Sequence, residues 1–206
     1  MKMEKETYQT IQTGVLQVNT VLLPLGDTLY IIDPGGDADK IFRKAKEYKK
    51  EHVQILLTHG HFDHIGAIPA LMESLGVENV YLHPEDVALY NHPANGYPPY
   101  CPHPENLPVT KWPLEESRIT VRHCPGHTPG GVIYYVPEYK TVFSGDSLFA
   151  ECIGRTDFPG GDLQTLLKAI KETLYTLPDD TVVIAGHEEE TSIGHEKKYN
   201  PYVKGE

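Results

Sequence analysis

Apolar and polar positions alternate as in strands near Tyr8–Thr13, Asn19–Leu25 and Thr28–Ile32, the last two meeting at Gly26-Asp27, where a hairpin turn fits. Asp33-Pro34-Gly35-Gly36 stops this run. From Ala38 to Lys50 the period lengthens to that of a helix: Ile41, Phe42, Ala45 and Tyr48 share one face, lysines take the other, and Asp37 stands in capping position. A short apolar strand, Val53–Leu57, comes next. A helix over Ile65–Leu75 closed by Gly76 and a strand over Asn79–Leu82 complete a βαβ pattern. Between His92 and Pro113 lie seven of the 17 prolines, a density that forbids regular helix or central strand and predicts a long structured loop of the kind that borders a site. The second half repeats the logic, with strands near Ile119–Arg122, Val132–Val136, Thr141–Phe143 and Thr181–Ala185, and a helix from Leu163 to about Leu177 capped by Asp162. The pattern is α/β. Periodicity alone does not choose between two stacked sheets and one doubly wound sheet.

Composition narrows the class. The 206 residues, 39% apolar and 23% charged, fit one compact domain over 1–206 and exclude a disordered or fibrous chain. Apolar stretches such as Val21–Leu25 are too short to span a bilayer, and the start MKMEKETYQT lacks the apolar core of a signal peptide, so the expected location is the cytoplasm, with no membrane partner. Cys101, Cys124 and Cys152 form no CxxC pair and are odd in number, which fits reduced thiols. A formal charge of −11 argues against nucleic acid as a partner, because such binding draws on clustered Lys and Arg.

The chemistry gathers at strand exits. Val53–Leu57 runs into Thr58-His59-Gly60-His61-Phe62-Asp63-His64, which places three imidazoles and a carboxylate within six residues. Any one of these histidines alone reads better as structural; four donors together after a buried strand reverse that reading. Imidazole and carboxylate suit Zn²⁺, Fe²⁺ or Mn²⁺, and the absence of thiolates argues against a purely structural zinc. Three further strands end the same way: Ile119–Arg122 leads to His127, Thr141–Phe143 to Asp146 and Thr181–Ala185 to His187. Seven donors exceed what one catalytic metal with an open position can use.

The motif THxHxDH at Thr58–His64, with His127, Asp146 and His187, resembles the metallo-β-lactamase superfamily over nearly the whole chain. Within it the stretch Gly154-Arg155-Thr156-Asp157-Phe158-Pro159-Gly160-Gly161-Asp162 and the ending from Thr191 to Pro201 are similar to short bacterial glyoxalase II enzymes, the hydroxyacylglutathione hydrolases. The resemblance implies an αββα four-layer sandwich. It implies two divalent ions per chain, zinc first with iron or manganese as alternatives: His59, His61 and His127 on one, Asp63, His64 and His187 on the other, and Asp146 between them. It implies hydrolysis of a small-molecule thioester such as S-lactoylglutathione by a metal-bridging hydroxide, with Asp63 both a ligand and an orienter of the nucleophile.

Arg155 falls where family members place a basic residue that contacts glutathione; its alternative is a surface pairing with Asp157 or Asp162. Asp157 stands where longer enzymes have a tyrosine. Common zinc β-lactamases carry a cysteine in place of Asp146, which argues against that activity. Glutathione persulfide dioxygenase, on the same fold with one iron held by His59, His127 and Asp146, is the closer rival and shares the Gly-Arg-Thr-Asp-Phe stretch. Those enzymes typically follow the last histidine with Asp-Tyr, whereas Glu188-Glu189-Glu190 follow His187 here. A metal-storage protein would fill its coordination with protein ligands, leaving no open position. His83, His92, His103, His123 and His195 are expected to be structural or surface residues, and Cys124 and Cys152 packing residues.

Overall fold

The computed structural model describes residues 7–205; the first six residues of the N-terminal stretch inspected for a leader lie outside that range. Strands β1 (Gln9–Thr13), β2 (Val18–Leu25) and β3 (Thr28–Ile32) form an antiparallel meander. Helix α1 (Ala38–Glu47) then crosses to β4 (His52–Leu56), which runs parallel to β3. The ligand-rich segment holds a single helical turn, α2 (Phe62–Ile65), before α3 (Ile68–Leu75) and β5 (Asn79–Tyr81), parallel to β4. A short turn of helix, α4 (Val87–Tyr90), precedes the proline-rich stretch. The second sheet is built from β6 (Thr120–His123), β7 (Val132–Val136), β8 (Thr141–Gly145), β11 (Val182–Ala185) and β12 (Thr191–Ser192), with the small hairpin of β9 (Leu148–Phe149) and β10 (Cys152–Ile153) beside it. Helices α5 (Leu163–Ala169) and α6 (Ile193–Tyr199) complete the order.

Alternation along each strand explains the layering. On β2 and β3, Val21, Leu23, Leu25, Tyr30 and Ile32 point into a cluster with Val132, Tyr134, Val136, Phe143 and Ile184 of the second sheet. The residues between them, Leu22, Leu29 and Ile31, face Ile41, Ala45, Ile68 and Leu71 of α1 and α3. On the second sheet Ile133, Val142 and Val183 turn away to meet Leu166, Ala169 and Ile193 of α5 and α6. Three apolar seams thus separate helices, sheet, sheet and helices, the αββα arrangement expected of the sequence resemblance. Residues read above as short apolar strands are therefore buried on both faces.

Several boundaries differ from the sequence reading. The helix expected over Ile65–Leu75 breaks at Gly66-Ala67, where Ala67 N–H bonds Pro34 O instead of continuing the helical ladder, and Pro69 opens α3. Asp37 does stand at the start of α1, but in left-handed conformation, and its carboxylate accepts from Gly14 N in the β1–β2 turn instead of capping the helix. Asp162 does cap α5, accepting from Thr165 N at 2.7 Å. Beyond Ala169 that helix widens into a π-turn over Ile170–Leu174. The short elements α4, β9, β10, β12 and α6 are additions that periodicity did not resolve. The region 92–113 contains no strand or helix, and an isolated bridge joins Tyr97 to Cys101. Among the described residues no helix is long and apolar enough to cross a membrane.

Candidate metal centre

Strands β3 and β4 run parallel, so Asp33 and Thr58 leave the first sheet side by side. In the second sheet β8 and β11 are parallel and β6 shares their direction, so the segments to His127, Asp146 and His187 leave from one edge. The two edges meet. All seven donors expected from the sequence come together there, six of them in two groups, each with its donor atoms within 4.8 Å of one another: His59, His61 and His127, and Asp63, His64 and His187. Asp146 lies between them, with Oδ2 3.6 Å from His127 Nε2 and 3.7 Å from His187 Nε2, and Oδ1 3.5 Å from His64 Nε2.

Three of the five rings, those of His59, His127 and His187, are turned by a hydrogen-bond partner on the far side. Thr58 Oγ1 donates to Asp33 Oδ2 at 2.6 Å, so it accepts from His59 Nδ1 at 3.1 Å and leaves His59 Nε2 facing inward. His127 Nδ1 donates to the Arg155 carbonyl and His187 Nδ1 to the Leu16 carbonyl, at 2.8 and 2.9 Å, again freeing Nε2. His61 Nδ1 and His127 Nε2 point at each other across 2.9 Å. Such far-side bonds are what fix tautomer and ring direction in metal-ligating histidines.

Cations fit this arrangement. His59 Nε2, His64 Nε2 and Asp146 Oδ1 are buried without a hydrogen-bond partner, a rare and costly state for polar atoms unless something else binds them. Facing donor pairs stand 2.9–3.7 Å apart. Donors around a tetrahedral metal held at ~2.0–2.1 Å are about 3.3 Å apart. Burial opposes a charge on His64, yet Asp146, Asp63 and Asp33 outweigh it and raise its pKa to about 10. Burial would raise Asp63, but His64 and His187 hold it well below the usual carboxylate range. His61, buried and beside His127, falls to about 3, and His59 is also pushed far down by burial and the neighbouring rings. The carboxylates call for positive charge while two of the rings refuse a proton, which is the electrostatic profile of a cation site.

The sequence reading missed the groups that hold these loops. Asp33, read only as a strand stop, is buried and accepts from both Thr58 N and Thr58 Oγ1. Asn19 Nδ2 donates to the carbonyls of Ala185 and Glu188 on either side of His187. Asn95, in the proline-rich loop, accepts from Phe62 N and donates to Gly60 O, bolting that loop to the ligand motif. Asp86 accepts from Gly60 N, Thr128 Oγ1 and Gly130 N. The adjacency of Asp33 to Thr58 was the one available signal, since parallel strands in register must deliver their exits together.

Arg155 lies exposed beside the centre, its carbonyl bonded to His127 Nδ1. Its guanidinium pairs with Asp157 through two bonds of 2.7 Å and covers the Phe158 ring at 3.8 Å, while that ring meets His61 edge-on at 5.5 Å. The pairing with Asp157 named as the alternative for Arg155 is thus present, with the guanidinium still exposed. Cys101 lies close enough to Asp63 that, after burial, its charge is the next influence raising the thiol pKa. Cys124 is fully buried and Cys152 sits half-buried in β10. Of the remaining histidines, His83 and His123 stack in parallel at 4.3 Å and, with Glu85, bring three donor atoms within 4.8 Å of one another on the surface. His195 pairs with Glu151, and His103 bonds the Asn95 carbonyl.

Comparison with known proteins agrees with this geometry. Residues 13–187 match the family model described as the metallo-beta-lactamase superfamily. The chain is 38% identical over 182 residues to the hydroxyacylglutathione hydrolase GloC of Haemophilus influenzae, covering 84% of this chain and 86% of that one. Among solved structures it is similar to TTHA1623 in a di-iron-bound form (38% identity, TM-score 0.85, 95% and 100% covered) and to the B3 metallo-beta-lactamase BLEG-1 (36%, 0.82, 97% and 100%). It is also similar to ETHE1 from Myxococcus xanthus (28%, 0.75, 97% and 85%). The chain, with its two abutting donor groups at the exits of two stacked sheets, belongs to the metallo-beta-lactamase superfamily.

Proposed function

We propose that the chain is a binuclear metal-dependent thioester hydrolase, acting in the cytoplasm on a small-molecule substrate of the S-lactoylglutathione type. The observation that carries this reading is the Asp146 carboxylate, set within 3.5–3.7 Å of nitrogen donors from both groups, as a shared ligand would be. The rival, a single iron on His59, His127 and Asp146, belongs to dioxygenases that keep the same ligand positions but typically follow the last histidine with Asp-Tyr, where Glu188-Glu189-Glu190 stand here. Likeness to a hydroxyacylglutathione hydrolase supports the substrate class.

When bound, the two cations, zinc or iron, supply an acidified water and a Lewis acid for the acyl oxygen. Asp63, with Oδ2 3.2 Å from His187 Nε2, holds a proton acceptor beside the place where that water must be oriented. His59 and His61, kept neutral by burial and by the neighbouring rings, offer lone pairs at neutral pH. A thiolate departs without needing a strong acid, because its conjugate thiol is itself fairly acidic. In this reading the exposed Arg155 guanidinium meets a substrate carboxylate, exchanging its pairing with Asp157.

The deciding experiment supplies S-lactoylglutathione anaerobically, glutathione persulfide in air, and a β-lactam, to one metal-loaded preparation. Thiol release without oxygen is the expected result. Oxygen uptake on persulfide without thioester turnover would make the chain an oxygenase, and β-lactam turnover alone would place it beside BLEG-1.

A further inference from the structure

Asp86 is fully buried, yet its carboxylate does nothing for the helical turn it precedes, since it makes no capping bond there. Instead it reaches two ligand loops at once. Oδ2 accepts from Gly60 N at 2.9 Å, between His59 and His61, and from Thr128 Oγ1 at 2.8 Å, next to His127; Oδ1 accepts from Gly130 N at 2.6 Å. The loops close on it tightly. A Cβ at Gly60 would lie 3.1 Å from Asp86 O and 3.2 Å from Tyr90 N, and one at Gly130 would lie 2.6 Å from Asp86 N. Glycine at both positions permits the approach. The loops so joined carry His59, His61 and His127, one complete donor group; of the other group Asp63 and His64 follow on α2, beyond the Gly60 contact, and His187, like Asp146, leaves on a segment that Asp86 does not touch.

We propose that Asp86 is a positioning residue that clamps these two loops together and thereby sets the affinity of the metal held by His59, His61 and His127 more than that of the other metal. The inference rests on the binuclear reading. Ligand convergence is the physical reason: the two loops are separated by more than sixty positions in sequence, and a buried charge accepting three hydrogen bonds resists their separation. Asparagine cannot replace it, because both carboxylate oxygens accept, so either orientation of an amide sets an N–H against a donor.

Zinc titration against a chromogenic chelator tests this in Asp86→Asn and Thr128→Val, with cobalt-substituted samples examined by NMR for the ring N–H signals of the ligand histidines. The wild-type chain takes up two tight equivalents. In Asp86→Asn one equivalent weakens about 10- to 100-fold, the usual effect of losing an outer partner of a ligand. The signals of His59, His61 and His127 change while those of His64 and His187 persist. Thr128→Val, which keeps both backbone bonds to Asp86, weakens the same equivalent by less and carries the test if Asp86→Asn does not fold. Equal weakening of both equivalents, loss confined to the His64 and His187 group, or no change in either variant overturns the proposal. A wild-type chain holding fewer than two equivalents fails the binuclear reading itself, a separate outcome.

Discussion

Gly186 offers a perturbation of the centre that removes no ligand. Its φ is ordinary, so alanine there carries no backbone strain, but a methyl would overlap Asp146 Oδ1 and come within 2.8 Å of His64 Cε1. Overpacking of this kind costs about 1–3 kcal/mol. For a chain of this size that corresponds to a fall of roughly 2–12 °C in Tm. Because the displaced carboxylate faces both donor groups, Gly186→Ala weakens both zinc equivalents together. Gly76→Ala is the matched control: it has φ +63° and nothing within 4 Å of the added methyl, so it costs about 1–2 kcal/mol of backbone strain and leaves metal binding alone. Thermal unfolding with and without zinc, together with metal content after dialysis, separates the two variants. A Gly186→Ala protein with wild-type stability and both metals would refute the reasoning, since it would mean that Asp146 and His64 are free to move aside.

Asp146→Ala is expected to deplete both metals in parallel, checked by metal analysis, and full retention of metal and activity would end the shared-ligand model. The metal-free protein should be most stable near pH 6.5. His64 is raised to about 10, so its contribution is complete below its unfolded value of 6.5 and is lost as pH climbs toward 10; His61 is lowered to about 3, so stability falls as acid drops the pH below 6.5. Urea unfolding of chelator-treated protein from pH 4 to 10 checks this, and a flat profile contradicts it. Arg155→Ala should raise KM for a glutathione thioester about tenfold to a hundredfold, as expected for a lost charge-assisted bond, with metal content and turnover of a neutral thioester unchanged. Equal losses on both thioesters would assign Arg155 to loop support.

Most of the donors were legible because they follow a buried strand with a clear apolar run, as Val53–Leu57 does before His59 and Thr181–Ala185 before His187; β6 before His127 is largely exposed. The four-layer fold came from resemblance, as periodicity showed strands such as Val132–Val136 without saying which sheet they join. What escaped was the polar scaffolding. Asp33, Asp86 and Asn95 stand among turn-forming residues where Asp and Asn are commonplace, Asn19 lies inside strand β2, and only three-dimensional proximity shows that their partners are Thr58, Gly60, Thr128 and Glu188. Short elements such as β9 and β12 span two residues, below the length at which alternation carries information. Asp37 misled for a related reason: its type favours a helix cap, but a left-handed backbone and the nearby Gly14 N–H redirected the carboxylate.

Two of the ligand rings are steered by main-chain carbonyls, His127 by that of Arg155 and His187 by that of Leu16. Every amino acid brings the same carbonyl, so mutation at 155 or 16 leaves the steering intact while changing what the surface presents. Both side chains are exposed beside the centre. Evolution can therefore revise the exposed side chains at these positions without re-aiming the rings, a separation that lets one donor arrangement be handed down through lineages whose surfaces diverge.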